Sequence, residues 1–90
     1  MKLDAQLNEA YADYYAKELI YLKNEMPIQL ANWVEEKNLS GLVIHFLKWA
    51  FFNKHDDLVL TRENLVMHKK WLKRMLKMGY SINDAAALPF

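Results

Sequence analysis

The side chains able to do chemistry are few, and their spacing does not bring them together. Histidines stand at positions 45, 55 and 68, and no two are three or four residues apart. Ligands at that spacing share one helix face and one ion; cysteine, the other common zinc ligand, does not occur. His55-Asp56-Asp57 would attract a cation weakly, but three polar residues in a row read first as a solvated loop. Ser40 and Ser81 are the two serines, and each precedes an apolar run, where a hydroxyl serves as a helix cap rather than a nucleophile. No nucleophile-elbow, zinc-protease, phosphate-loop or dinucleotide motif occurs. The expectation is a protein with no catalytic residue, no metal and no cofactor.

Two polar residues lie among apolar ones. Glu18 falls between Tyr14, Tyr15 and Leu22, where an unpaired carboxylate would be costly. Tyrosine hydroxyls, His45 or Lys48 are its candidate partners, and the alternative is an interface residue that sets register. His45 reads as a core or helix-packing histidine rather than a ligand or a pH switch.

The elements that must position these groups are helices. The chain has 90 residues, 53% apolar and 26% charged, with net charge +1. That length allows one domain, residues 1–90, able to bury roughly 60–65% of its unfolded surface. High apolar content at near-zero net charge is the opposite of a disordered composition. Two glycines and two prolines leave little material for hairpins.

Leu3 to Met26 follows a period near 3.6, with Leu3, Leu7, Tyr11, Tyr14, Tyr15, Leu19 and Leu22 on one arc. Asp4 is its candidate N-cap, and Pro27 ends it. A second helix is expected over Pro27 to Asn38, burying Ile28, Leu30, Ala31 and Val34. Asn38-Leu39-Ser40-Gly41 then forms a tight junction, with Ser40 as the next cap. The third helix, Gly41 to Asn53, is apolar nearly all round, with His45 and Lys48 leaving a narrow polar strip. A helix of that kind is central to a core or shared with another chain.

Leu58-Val59-Leu60 is too short for a sheet. Thr61 is the N-cap of a fourth helix, supported by Glu63 in the first turn and by Leu60 and Leu65 at staple spacing. That helix runs to about Met78 and stops at Gly79, the expected left-handed residue. Ser81 and Asp84 begin a short last helix, Ile82 to Leu88, before Pro89. The fold class is therefore all-α: four main helices and a short C-terminal one around a hydrophobic third helix.

Charge is unevenly distributed. Residues 1–36 carry three lysines against seven acidic residues, a net −4, and residues 37–90 carry nine basic against four acidic, a net +5. Arg62, Lys69, Lys70, Lys73, Arg74 and Lys77 fill somewhat less than half of the fourth helix's circumference. This face is read as solvated, or as opposing an acidic protein surface such as the first helix of another copy, a nucleic acid, or a membrane surface. Met78-Gly79-Tyr80-Ser81 resembles a helix-turn-helix junction locally. The helix after it offers Asn83 and Asp84 and then three alanines, which do not suit a groove-reading helix.

Five Tyr and three Trp are many for a core this size, and such residues are enriched at binding hot spots. The expected function is accordingly a small helical protein-interaction module, an inhibitor or regulator of a larger protein partner and a candidate homodimer. Its expected partner-facing residues are Tyr11, Tyr15 and Glu18 on one surface and Lys69, Lys73 and Lys77 on another. Cytoplasmic antiholins and anti-defence proteins are analogues by size and composition. The alternative function is a nucleic-acid-binding regulator using the fourth helix. No apolar leader follows Met1, and Leu42 to Phe52 falls short of the ~20 apolar residues needed to cross a bilayer. A cytoplasmic location is expected, with no more than peripheral membrane contact.

Overall fold

A computed structural model describes residues 3–12, 26–55 and 59–89. Within them lie five α-helices and no strand: α1 (Leu3–Ala10), α2 (Ile28–Lys37), α3 (Ser40–Phe52), α4 (Arg62–Lys77) and α5 (Ile82–Ala86). The all-α expectation holds. The chain divides into two units, Met1–Leu42 and Val43–Phe90, and the division falls within α3.

In the first unit, α1 buries Leu3, Leu7 and, one residue past its end, Tyr11. These are the i, i+4 and i+8 positions of the arc read from the sequence. The helix α1 ends at Ala10, residues 13–25 of the expected longer helix lie outside the described residues, and Met26 lies in a bend, as the proline after it requires. Asp4 is not the N-cap: it is the second residue of α1, where its carboxylate still lies near the positive end of the dipole. Tyr14, Tyr15, Glu18 and Tyr21 fall outside the described residues.

The α2 helix buries Leu30 and Val34, but Ile28 is 76% exposed. At 100° per residue Ile28 lies on the side opposite that pair, so the expectation that it is buried is corrected. Asn38 ends the helix in the left-handed region, at φ 56°. The amide of Leu39 donates to the Val34 carbonyl and that of Asn38 to the Glu35 carbonyl, the paired bonds of a Schellman cap.

Asn8 then joins the helices of this unit. Its Nδ2 donates to the Asn38 carbonyl at 3.0 Å, and its Oδ1 accepts the Gly41 amide at 2.9 Å. One side chain so serves the end of α2 and the start of α3. Ser40 was the expected cap, but it is itself helical, and the Gly41 amide goes to Asn8. Gly41 is required for proximity rather than for its φ. A Cβ there would lie 2.6 Å from the Asn8 nitrogen and the Leu7 oxygen, and closer still to the Leu7 carbonyl carbon.

The second unit is built on the remainder of α3, with α4 and α5. Val43, Ile44, His45 and Phe46 are each 3% exposed or less, so about one full turn of α3 is buried. The helix closes with a second Schellman pair, His55 to Ala50 and Lys54 to Phe51, with Lys54 left-handed at φ 56°. Thr61 caps α4 by accepting the Asn64 amide at 3.1 Å, and Ser81 caps α5 by accepting the Asp84 amide at 3.1 Å. Gly79, at φ 102°, ends α4 as expected, with Tyr80 bonded back to Met75 and Gly79 to Leu76. The α5 helix stops at Ala86, two residues early, because Pro89 pushes Leu88 out of helical conformation.

Candidate functional site

The chemistry-bearing residues converge in the second unit. His45 and Trp49 on α3 and Asn53 just past its end lie at i, i+4 and i+8 and so follow one face. All three reach backbone carbonyls of the C-terminal segment. His45 Nε2 lies 2.8 Å from the Ile82 carbonyl. Trp49 Nε1 donates to the Leu88 carbonyl at 2.8 Å, and Asn53 Nδ2 donates to the same oxygen at 3.2 Å. Ala85 and Ala86, between the two anchored carbonyls in sequence, are 0% and 2% exposed.

His68 on α4 completes the arrangement, its Nε2 lying 2.8 Å from His45 Nδ1. A carbonyl oxygen only accepts, so His45 Nε2 carries the hydrogen given to Ile82. His45 Nδ1 is then the acceptor, and His68 Nε2 donates to it. The chain of bonds thus has a single direction, from His68 through His45 to Ile82.

Both imidazoles are 0% exposed. Burial lowers the His45 pKa below its usual 6.5; the bond to Ile82 opposes this, and the Lys48 charge adds to it. Burial and the charge of His45 lower His68 to about 3. Both rings are neutral at neutral pH.

Aromatic rings enclose the pair. His68 lies 5.3 Å from both Trp49 and Trp71 and meets Phe46 edge-on at 5.4 Å. His55 lies 4.9 Å from Trp49, so its ring belongs to this cluster as well as to the polar loop. The expected polar strip on α3 is therefore corrected at His45, which points inward; Lys48 is half-buried. His45 is the core histidine that the sequence suggested. Its partner 23 residues away was not expected. Among the described residues, no three His, Asp or Glu side chains are placed to share a metal ion.

The outward surfaces differ. Phe51 is 79% exposed and Phe52 60%, their rings 6.0 Å apart at the end of α3. By the helical wheel they fall on either side of Lys48; Phe51 lies opposite Trp49 and Asn53, while Phe52, seven residues after His45, returns to nearly the same angle two turns further on. The α4 helix buries Leu65, His68, Trp71 and Leu72 and turns Arg62, Lys70, Lys73, Arg74 and Lys77 outward, with Glu63 and Val66 among them.

Of the expected partner-facing residues, Lys73 and Lys77 are exposed and Lys69 is half-buried at the edge of that face. Tyr11 is 1% exposed, its ring held in the core of the first unit, so it presents no surface. Tyr15 and Glu18 lie outside the described residues. Phe51 and Phe52 were legible only as part of a helix with more apolar side chain than one face can bury.

Among the described residues, no helix is long and apolar enough to cross a membrane. Compared with protein-family models, curated proteins and solved structures, the chain matches none.

Proposed function

We propose that this chain is a small helical protein-interaction module without catalysis of its own, which inhibits or regulates a larger protein by binding it. The observation that carries this reading is the exposure of Phe51 and Phe52 side by side, at 79% and 60%. Large contiguous apolar patches are uncommon on free monomers, and rigid aromatic side chains supply much of the energy where proteins meet. The buried histidine pair supports the same reading from the other side: it ties α3, α4 and the C-terminal segment together and presents no reactive atom to solvent.

The test is capture from the source cell with the full chain and with the F51S/F52S variant. A discrete protein retained by the first and lost by the second supports the proposal. The same proteins retained by both would overturn it.

The outward face of α4 favours a second reading, as a nucleic-acid-binding regulator. Five of its exposed side chains are basic against one acidic, and phosphate neutralisation would supply the affinity. Binding to duplex DNA at about 50 mM salt that weakens steeply by about 200 mM would support this second function. Unchanged fluorescence anisotropy at low salt would exclude it.

A further inference from the structure

We infer that α2 of one copy of this chain docks on α4 of another, with Ile28 against Val66 and Glu35 and Glu36 against Lys73 and Lys77. The two exposed faces have matching composition and opposite charge. On α2, Ile28 is 76% exposed at the centre of the outward side, and Glu35 and Glu36 are exposed two turns further on. On α4, Val66 is 42% exposed at the centre of the outward side, and Lys73 and Lys77 are exposed beyond it.

The spacing agrees as well. Ile28 to Glu35 and Val66 to Lys73 are each seven residues, roughly 10 Å of helix, and seven residues return to almost the same angle. Laid parallel with Ile28 over Val66, the two helices bring Glu35 over Lys73, with Glu36 and Lys77 flanking. Each helix thus carries an apolar knob and, seven residues from it, a charge opposite in sign to the one on the other helix. The occupant that meets both conditions is a second copy, because the acidic face and the basic face belong to one sequence. The inference uses neither Phe51 nor Phe52, so it stands or falls independently of the function proposed above.

A contact of one helix on another is small, and exposed ion pairs are weak and screened by salt. Association is therefore expected at high micromolar concentration and low ionic strength. Sedimentation of the full chain should show a concentration-dependent shift toward dimer that disappears at about 0.5 M salt.

Reversing either face should abolish it. Glu35→Lys with Glu36→Lys, or Lys73→Glu with Lys77→Glu, should each weaken self-association by roughly tenfold or more. An equimolar mixture of the two variants, whose faces are complementary again, should restore it to wild-type strength. Circular dichroism on each variant confirms the fold, and the mixture is informative only for folded chains that fail alone. A wild-type chain that stays monomeric to about 1 mM at low salt would overturn the inference. So would variants that associate alone as the wild type does, or a monomer whose α4 lysines bind duplex DNA instead.

Discussion

His45 and His68 show how a residue's role follows from what surrounds it. Either imidazole on a surface would titrate near neutrality; enclosed by Phe46, Trp49 and Trp71, both hold the neutral form. The consequence is a stability that depends on pH in one direction. Above about pH 6.5 neither the folded nor the unfolded chain protonates these groups, and their contribution is constant. Below it the unfolded chain takes up protons that the buried pair refuses, so stability falls with pH until the folded pair itself titrates, near pH 3 for His68. The expected slope is up to about 1.4 kcal/mol per pH unit for each histidine. Urea unfolding followed by circular dichroism between pH 7.5 and 5 measures it, and a flat profile would show that the pair is not buried as described. The sequence made the inward position of His45 legible, since a lone histidine in an apolar helix has few other places to go. It did not reveal the partnership with His68, because nothing in a separation of 23 residues marks two rings for a 2.8 Å contact. Tyr11 fails for a related reason: periodicity put it on the correct arc but not on one side of the surface or the other.

At the scale of elements, the ends of helices were more legible than their neighbours. Thr61, Ser81 and Gly79 each perform the local task their types suggest, because a cap depends on bonds spanning only a few residues. Asn8 and Gly41 could not be read the same way. Their importance comes from a meeting across 33 residues, where the α3 backbone approaches that of α1. Gly41→Ala should therefore destabilise by about 1–3 kcal/mol although alanine is the better helix former, because its methyl group would meet main chain that cannot rotate away. Thermal unfolding tests this, and an unchanged midpoint would contradict the close approach. Lys54 gives the opposite expectation. It occupies a left-handed position with an ordinary side chain, so Lys54→Gly should stabilise by about 0.5–1 kcal/mol, seen as a higher unfolding midpoint. A lower midpoint would mean that the lysine side chain contributes more than its backbone costs.

At the scale of the molecule, the chain holds more aromatic and aliphatic side chain than it hides. The surplus emerges where α3 leaves its enclosed stretch and ends at Phe51 and Phe52. The all-round apolar character of that helix was plain in the sequence; which residues would be left outside was not, since that depends on which sides neighbouring helices cover. Because both rings already face water, replacing them should change unfolding free energy by no more than about 0.5 kcal/mol. Binding should respond quite differently. The most direct test of the interaction reading is therefore to measure, with the captured partner, the affinity and the melting temperature of Phe51→Ala and Phe52→Ala beside a Val59→Ala control, whose side chain is also exposed. The account predicts that each phenylalanine variant loses roughly tenfold or more in affinity with an unchanged melting temperature, while the control binds normally. Affinity unchanged in both phenylalanine variants would contradict it.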